Sequence, residues 1–200
     1  ASPQSEDQSA YYWTAPFAFI DHTTTSYYAT YINADFVSKF SNTDVRNLFV
    51  ASSTITNPAD FRRYTTRKFK FNFGSDVPLI RTAEMILIDA EALARTPGKE
   101  AEAHDLLYAL QKNRDVNAVK STNTGAALID EILLERRKEL YAENGVEWFD
   151  AKRLRKGITR TGNHRIFKNL SADDKRFFLK VPQSEIDANE SIDDTVNKDR

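Results

Sequence analysis

"ERRKELYAENGVEWFDAKRLRKG", the stretch of residues 135–157, carries twelve charged side chains among its 23 residues. Its apolar residues nevertheless continue a helical pattern, so we predict a helix from about Gly125 to Asn144. On a helical wheel, the buried stripe of this helix consists of Ile129, Ile132, Leu133 and Leu140. Arg136 and Glu143 fall on the same side of the wheel. The helix is therefore expected to bury charge together with its apolar stripe.

Charges on this buried face need partners, because an isolated charge in a protein interior costs several kcal/mol. Glu139 lies one turn after Arg136 and is placed to pair with it locally. Glu135 falls at the edge of the buried face or beyond it, with Arg137 and Lys138. We expect a structural ion-pair network that locks helices together. Its predicted members are Arg81, Glu84, Arg136, Glu139, Glu143, Asp150 and Arg153.

A catalytic alternative uses Glu135 and Glu139 as an acid/base pair. Glycosidase-type catalysis needs two carboxyl groups across a cleft, one of them with a raised pKa. In this stretch the acids alternate with Arg and Lys, which lower the pKa of a carboxyl group. The pattern therefore favours charges that hold a fold over charges that do chemistry.

Two further helices are predicted before this stretch. The first lies in residues 77–96, where alanines and larger apolar residues share one stripe. That stripe comprises Ala83, Ile86, Leu87, Ala90 and Ala94. The second lies in residues 99–115, and the intervening Pro97 and Gly98 predict a short turn and hence a helical hairpin. Thr124 is expected to cap the helix that follows.

After residue 145 the pattern predicts a shorter helix or turn ending near Gly157. A loop is expected over residues 158–177, followed by a short extended piece at residues 177–186. The acidic end of the chain is expected to be a frayed tail.

Residues 1–75 show little helical periodicity and are predicted to be loop-rich, with a short helix within residues 26–40. Phe69, Phe71 and Phe73 alternate with polar residues and predict a short strand. This segment is also rich in aromatic and hydroxyl side chains. Aromatic rings pack on the apolar faces of sugars, so the predicted ligand-binding residues are Trp13, Tyr11, Tyr12 and Tyr28. The alternative is that these rings fill a small core beneath long loops.

Composition narrows the possible functions. The net charge is −1 and no polybasic tract is present, so neither nucleic acid nor a charged membrane surface is an expected partner. The chain has no cysteine, which removes disulfides, thiolate metal sites and cysteine nucleophiles. No phosphate-binding loop, zinc-protease helix or serine-hydrolase elbow occurs. We therefore expect no cofactor, no metal site and no enzymatic activity.

Four blocks of sequence, in order, resemble the SusD/RagB family of nutrient-binding lipoproteins. The longest is residues 135–153, which resembles the family's E-R-R-x-E-L pattern and its later W-F-D. Residues 77–92 keep the Arg and Glu positions of the family pattern, and residues 110–118 keep one Arg. Residues 178–189 keep the Pro, the Glu-Ile pair and the Asn. The matching residues in the three shorter blocks are Arg81, Glu84, Glu91, Arg114, Pro182, Glu185, Ile186 and Asn189.

The resemblance implies a mainly α fold of tetratricopeptide-like helical hairpins with irregular, loop-rich segments and short strands. Residues 1–75 are expected to form a loop-rich aromatic segment. Residues 76–200 are expected to form one helical unit from the C-terminal part of a longer protein. Because family members are longer and lipid-anchored, the anchor is expected to lie outside this chain.

The resemblance also implies a function at the bacterial outer membrane, on the cell surface. There the protein binds an oligosaccharide or other nutrient and delivers it to a SusC-like TonB-dependent transporter. The alternative is a helical-repeat scaffold that binds a protein partner and has no small-molecule site of its own.

Overall fold

The computed structural model describes residues 30–69, 78–166 and 168–198, and these are mainly helical. In chain order the helices are α1 (Ala34–Val37), α2 (Thr82–Ala94), α3 (Glu100–Arg114), α4 (Gly125–Leu140), α5 (Val146–Arg153) and α6 (Gln183–Ala188). The strands β1 (Phe49–Ala51) and β2 (Tyr64–Thr66) pair antiparallel, with Val50 opposite Thr65. Short 3-10 helices cover Lys175–Phe177 and Asp194–Asn197. The predicted class, mainly helical with irregular segments and short strands, is confirmed.

Helices α2, α3 and α4 enclose the larger apolar core. The small side chains of Ala90 and Ala103 are fully buried, so the helix backbones approach each other closely. Larger side chains fill the space between the helices, and Leu87, Leu107, Leu128 and Ile132 have no exposed surface. The predicted stripe on α2 is largely this buried face, and α2 and α3 form the expected hairpin.

Both ends of α4 differ in detail from the prediction. Thr124 occupies the N-cap position but makes no capping hydrogen bond; instead the Gly125 amide donates to Glu100 Oε1 at 2.8 Å. The helix ends at Leu140, four residues before the predicted end at Asn144. Tyr141 leaves the helix in an extended conformation, so the predicted last turn is replaced by a loop.

A second, aromatic core surrounds α1. Phe36, Phe40, Phe49 and Tyr141 meet in pairs, mostly edge to face, with ring centroids 4.9–6.3 Å apart. The Tyr141 hydroxyl pairs with Thr66 Oγ1 at 2.9 Å, so a polar group in this core has its partner. Tyr141 thereby joins the end of α4 to β2 and α1.

The local predictions before residue 75 are only partly met. The predicted helix of residues 26–40 is limited to α1 within the described residues. The strand seen here, β2, ends at Thr66, so Phe69 lies beyond it and outside any strand. Phe71 and Phe73 lie outside the described residues.

The chain divides into two compact units. The first comprises residues 1–146 with 161–165, and the second comprises residues 147–160 with 166–200. The predicted boundary between residues 75 and 76 falls outside the described residues and stays a prediction.

Within the second unit, Trp148 of α5 packs on Phe177 with ring centroids 4.7 Å apart. Ile158 and Leu170 form an isolated antiparallel bridge across the predicted loop. The extended piece predicted for residues 177–186 is wrong from Gln183 onward, where α6 begins. The tail is not frayed at Asn197, because its side chain bonds the Val181 amide and carbonyl at 2.8 and 2.9 Å.

Replacing Leu107 by alanine tests the helical core. Leu107 is fully buried between helices, so the substitution removes apolar contacts and leaves a cavity. We expect a loss of about 2–5 kcal/mol in the free energy of unfolding, measured by urea denaturation. The matched control is Val116→Ala, because Val116 is 81% exposed and should change stability by less than about 0.5 kcal/mol.

Candidate functional site

The carboxylate of Glu139 lies at the centre of a cluster of charges in the first unit. Its Oε1 accepts hydrogen bonds from Arg81 Nη1 at 2.8 Å and Arg114 Nη2 at 2.9 Å. Its Oε2 accepts from Arg46 Nη1 at 2.9 Å and Arg114 Nε at 3.0 Å. Three arginines therefore converge on one buried acid.

Those arginines come from separate parts of the chain. Arg46 lies in the loop before β1, Arg81 occupies the N-cap position of α2, and Arg114 is the last residue of α3. Glu139 itself lies in the last turn of α4. The carboxylate therefore ties the ends of three helices to the irregular segment before them.

Arg81 and Lys68 extend the cluster to the loop after α4. Arg81 Nε donates to Glu143 Oε2 at 2.8 Å, and its Nη2 donates to the Glu139 carbonyl at 2.8 Å. Lys68 Nζ donates to the Glu139 and Tyr141 carbonyls at 3.1 and 2.9 Å. These cations occupy carbonyls at the C-terminal end of α4, which explains why the helix stops at Leu140.

The opposite side of the cluster is formed by Asp44, Arg46, Glu135 and Lys138. Arg46 donates through Nε and Nη2 to the two oxygens of Asp44, each at 2.9 Å, in a bidentate pair. Arg46 Nη1 also lies 2.7 Å from Glu135 Oε1. Lys138 Nζ lies 3.0 Å from Asp44 Oδ2. We call these four residues together with Lys68, Arg81, Arg114, Glu139 and Glu143 the charged cluster.

Electrostatics in the cluster keep Glu139 and Asp44 ionised. Burial raises the pKa of Glu139, but hydrogen bonds from Arg114 and Arg81 outweigh it and lower the pKa to about 2. Burial opposes ionisation of Asp44 too, and hydrogen bonds from Arg46 lower its pKa to about 2. Glu139 is thus a permanent anion at neutral pH and unsuited to donate a proton.

Of the residues predicted for the network, the structure brings Arg81, Glu139 and Glu143 together. Arg136 donates to Glu84 Oε1 at 2.8 Å and so ties α4 to α2. Within the second unit, Arg153 Nε donates to Asp150 Oδ1 at 2.7 Å, three residues apart on α5. Glu139, expected to pair with Arg136, is held instead by arginines from other segments.

One predicted orientation is wrong. The helical wheel places Glu135 at the edge of the buried face or beyond it, but only 3% of its surface is exposed. The reason is that α4 packs on α2 and α3 on one side and meets the loop of residues 41–48 on another. The buried arc is therefore wider than the apolar stripe alone indicates.

Sequence reasoning missed Asp44, Arg46, Lys68, Arg114 and Lys138. Arg114 had a signal, because it is the Arg retained in one of the four family-like blocks and lies in the last turn of a helix. Lys138 falls at the edge of the buried face of the wheel or beyond it, so the pattern did not indicate its pairing with Asp44. Asp44, Arg46 and Lys68 lie in segments without periodicity, so no local pattern indicates their partners.

A cavity of about 350 Å³ opens beside the charged cluster. Its charged lining consists of Arg46, Lys68, Arg81, Arg114, Lys138, Glu139 and Glu143. Its other lining residues are mostly apolar, among them Val45, Leu48 and Pro78. A small polar ligand can therefore reach the cluster from this side.

The aromatic residues predicted to bind ligand, Trp13, Tyr11, Tyr12 and Tyr28, lie outside the described residues. Within residues 30–69, 78–166 and 168–198, no group of three His, Asp or Glu side chains is arranged to hold a metal ion. None of the helices in these ranges combines the length and the apolar character needed to span a bilayer.

The comparisons with known proteins agree with the order of the four blocks. The sequence model of the SusD family matches residues 7–197. The chain belongs to the SusD family. No curated protein matches the chain significantly.

A solved relative has the same fold as this SusD-family chain. It is a SusD-like carbohydrate binding protein from Bacteroides vulgatus, with a TM-score of 0.72 and 22% sequence identity. The match covers 93% of this chain and 44% of that protein. This chain therefore spans less than half the length of that relative.

Glu139→Gln tests whether the charged cluster stabilises the fold. The substitution keeps the shape of the side chain but removes the charge that three buried or half-buried arginines share. We expect a loss of about 3–5 kcal/mol in the free energy of unfolding, measured by chemical denaturation. Glu102→Gln is the matched control, because Glu102 pairs with Lys99 on the surface and should contribute at most about 1 kcal/mol.

The lowered pKa of Glu139 also predicts how stability depends on pH. The carboxylate binds its proton more weakly in the folded state than in the unfolded state, so its contribution is complete above about pH 4.5. That contribution is lost as the pH falls from about 4.5 to about 2. Thermal melts across this pH range should show that the melting temperature falls less steeply with decreasing pH for Glu139→Gln than for the wild type. Parallel curves would contradict the lowered pKa of Glu139.

Proposed function

We propose that this chain is the ligand-binding part of a cell-surface protein that captures an oligosaccharide. The observation that carries the proposal is membership of the SusD family over residues 7–197. The solved relative that shares its fold is a SusD-like carbohydrate binding protein, which supports a sugar ligand in particular.

The sugar is proposed to bind at Trp13, Tyr11, Tyr12 and Tyr28. Indole and phenol rings offer flat apolar surfaces to the C–H faces of a sugar, while the phenol hydroxyls bond its hydroxyl groups. The hydroxyl-rich residues 23–26 lie between these aromatics in sequence and supply further polar contacts. This combination of a few polar groups with an apolar platform is typical of sites that bind small molecules.

The captured sugar is proposed to pass to a SusC-like TonB-dependent transporter in the outer membrane. The protein is proposed to stay at the cell surface through a lipid anchor, which is what membership of the SusD family implies. Both proposals rest on the family alone.

Binding is favoured over catalysis by the chemistry of the charged cluster. A glycosidase needs a carboxyl group that holds a proton near neutral pH. Glu139, the most central acid of the cluster, has a pKa lowered to about 2 by its arginines. Its role is to hold those arginines in place.

A second candidate function is a helical scaffold that binds a protein partner, here the transporter. The observation that favours it is an apolar surface on α2, where Met85 and Ile88 are 45% and 48% exposed. Leu79 and Ile80, just before the helix, are 70% and 75% exposed. Exposed apolar side chains grouped in this way mark surfaces that pack against another protein.

Trp13→Ala tests the sugar-binding proposal. A glycan array identifies the ligand of the wild type, and calorimetry then compares the variants with that glycan. Loss of the indole should weaken binding by at least about tenfold, since aromatic groups dominate such contacts.

The control for this test is Phe149→Ala, which removes a different aromatic residue that is 61% exposed. We expect it to bind the glycan as the wild type does. A wild type that binds no glycan but still co-purifies with its transporter would contradict sugar capture and favour the scaffold.

A further inference from the structure

In the charged cluster beside the cavity, the cations are more exposed to solvent than the anions. The side chains of Arg81 and Arg114 are 30% exposed, and those of Arg46, Lys68 and Lys138 are 12–17% exposed. The four carboxylates of the cluster, by contrast, are 0–5% exposed. A ligand can therefore reach the cations of the cluster more easily than its acids.

The cavity lining also carries more positive than negative charge. Its cations are Arg46, Lys68, Arg81, Arg114 and Lys138, and its carboxylates are Glu139 and Glu143. Asp44 and Glu135 pair with Arg46 and Lys138 but are not among the lining residues.

One of the lining cations retains a donor for a ligand. Arg114 uses Nε and Nη2 on Glu139, and Nη1 has no partner among the described residues. Lys138 Nζ, by contrast, lies 3.0 and 3.8 Å from carboxylate oxygens of Asp44 and Glu135 and 5.0 Å from the centre of the Phe40 ring, so its three N–H groups already have partners. Lys68 is likewise already bound to Glu143 and two carbonyls.

We propose that this cavity binds the carboxylate group of a small acid, with Arg114 as its donor. A volume of about 350 Å³ lies at the small end of ligand pockets, roughly 300–1,000 Å³, and suits one sugar ring or a smaller acid. A carboxylate fits a guanidinium better than a spherical ion does, because its two oxygens match the N–H directions. Val45, Leu48 and Pro78 offer apolar surface to the remainder of the ligand. The donor proposed here and the aromatic residues proposed for sugar capture are different residues.

The direct test compares galacturonate with galactose, which differ by a carboxylate in place of a hydroxymethyl group. Calorimetry or ligand-observed NMR on the full chain at constant low chloride gives both affinities. We expect galacturonate to bind about twofold to fivefold more tightly, since a partly exposed ion pair supplies up to about 1 kcal/mol. Equal binding of the two sugars would overturn the proposal.

Competition by acetate, chloride and phosphate shows which part of galacturonate the site recognises and whether the site prefers a carboxylate to other anions. Acetate that competes with galacturonate supports a carboxylate site and shows how much the sugar ring adds. Chloride or phosphate competing as well as acetate would reveal a general anion site and would overturn the assignment to carboxylate.

A matched pair at Val45 tests the position of the site without breaking any ion pair. Val45 lines the cavity, is 65% exposed and bonds Arg114 only through its backbone amide. Val45→Asp adds a negative charge at the rim, while Val45→Asn adds a group of the same shape without charge. We expect Asp to weaken galacturonate binding about fivefold relative to Asn, and equal affinities would overturn the location.

Two further variants probe the donor itself. Arg114→Gln should lose the preference for galacturonate over galactose, whereas Lys120→Gln, which removes a charge on the surface, should keep it. Thermal melts establish whether both variants are folded, and the Val45 pair decides the location of the site if Arg114→Gln is unfolded. Trp13 is proposed for glycan capture only, so Trp13→Ala should weaken glycan binding by at least about tenfold and leave galacturonate binding unchanged.

Discussion

The architecture of the first unit depends on one carboxylate. Glu139 is almost completely buried, and an anion in that position is stable only if several donors surround it. Arg46, Arg81 and Arg114 provide those donors, and each is fixed in turn by the end of a helix or by another acid. The helices and the ion pairs therefore depend on each other. The helices position the arginines, and the buried acid constrains where the helices can end.

This mutual dependence explains the shape of the loop after α4. Continuing the helix would require the carbonyls of its last turn to accept from later amides. Instead Arg81 and Lys68 take the Glu139 carbonyl, and Glu143 turns back to bind the same two cations. Ala142 accepts an unfavourable positive φ of 60° in that turn. The charged cluster therefore shapes the backbone as well as the side chains.

The charged cluster also determines the charge of the surface beside it. Because the acids lie inside and the cations lie toward the cavity, a structural network presents a positive face to solvent. Structural and binding roles are compatible here, since Arg114 engages Glu139 with only two of its three nitrogens. The aromatic segment near the N-terminus offers a different chemistry, suited to the neutral faces of sugars.

The sequence by itself determined the three long helices, their turn and the family, because helical periodicity and signature blocks are local patterns. It also indicated that charges on α4 would need partners and identified Arg81 and Glu84 among them. Only the tertiary structure decided that Glu139 binds Arg46, 93 residues earlier, and that Glu135 is buried. Arg46 and Lys68 lie in segments with no repeating pattern, where side-chain direction follows from the path of the whole chain. Two charged residues form an ion pair when folding brings their side chains close together in space. For residues this far apart in sequence, that distance depends on the fold of the whole chain and not on any local pattern.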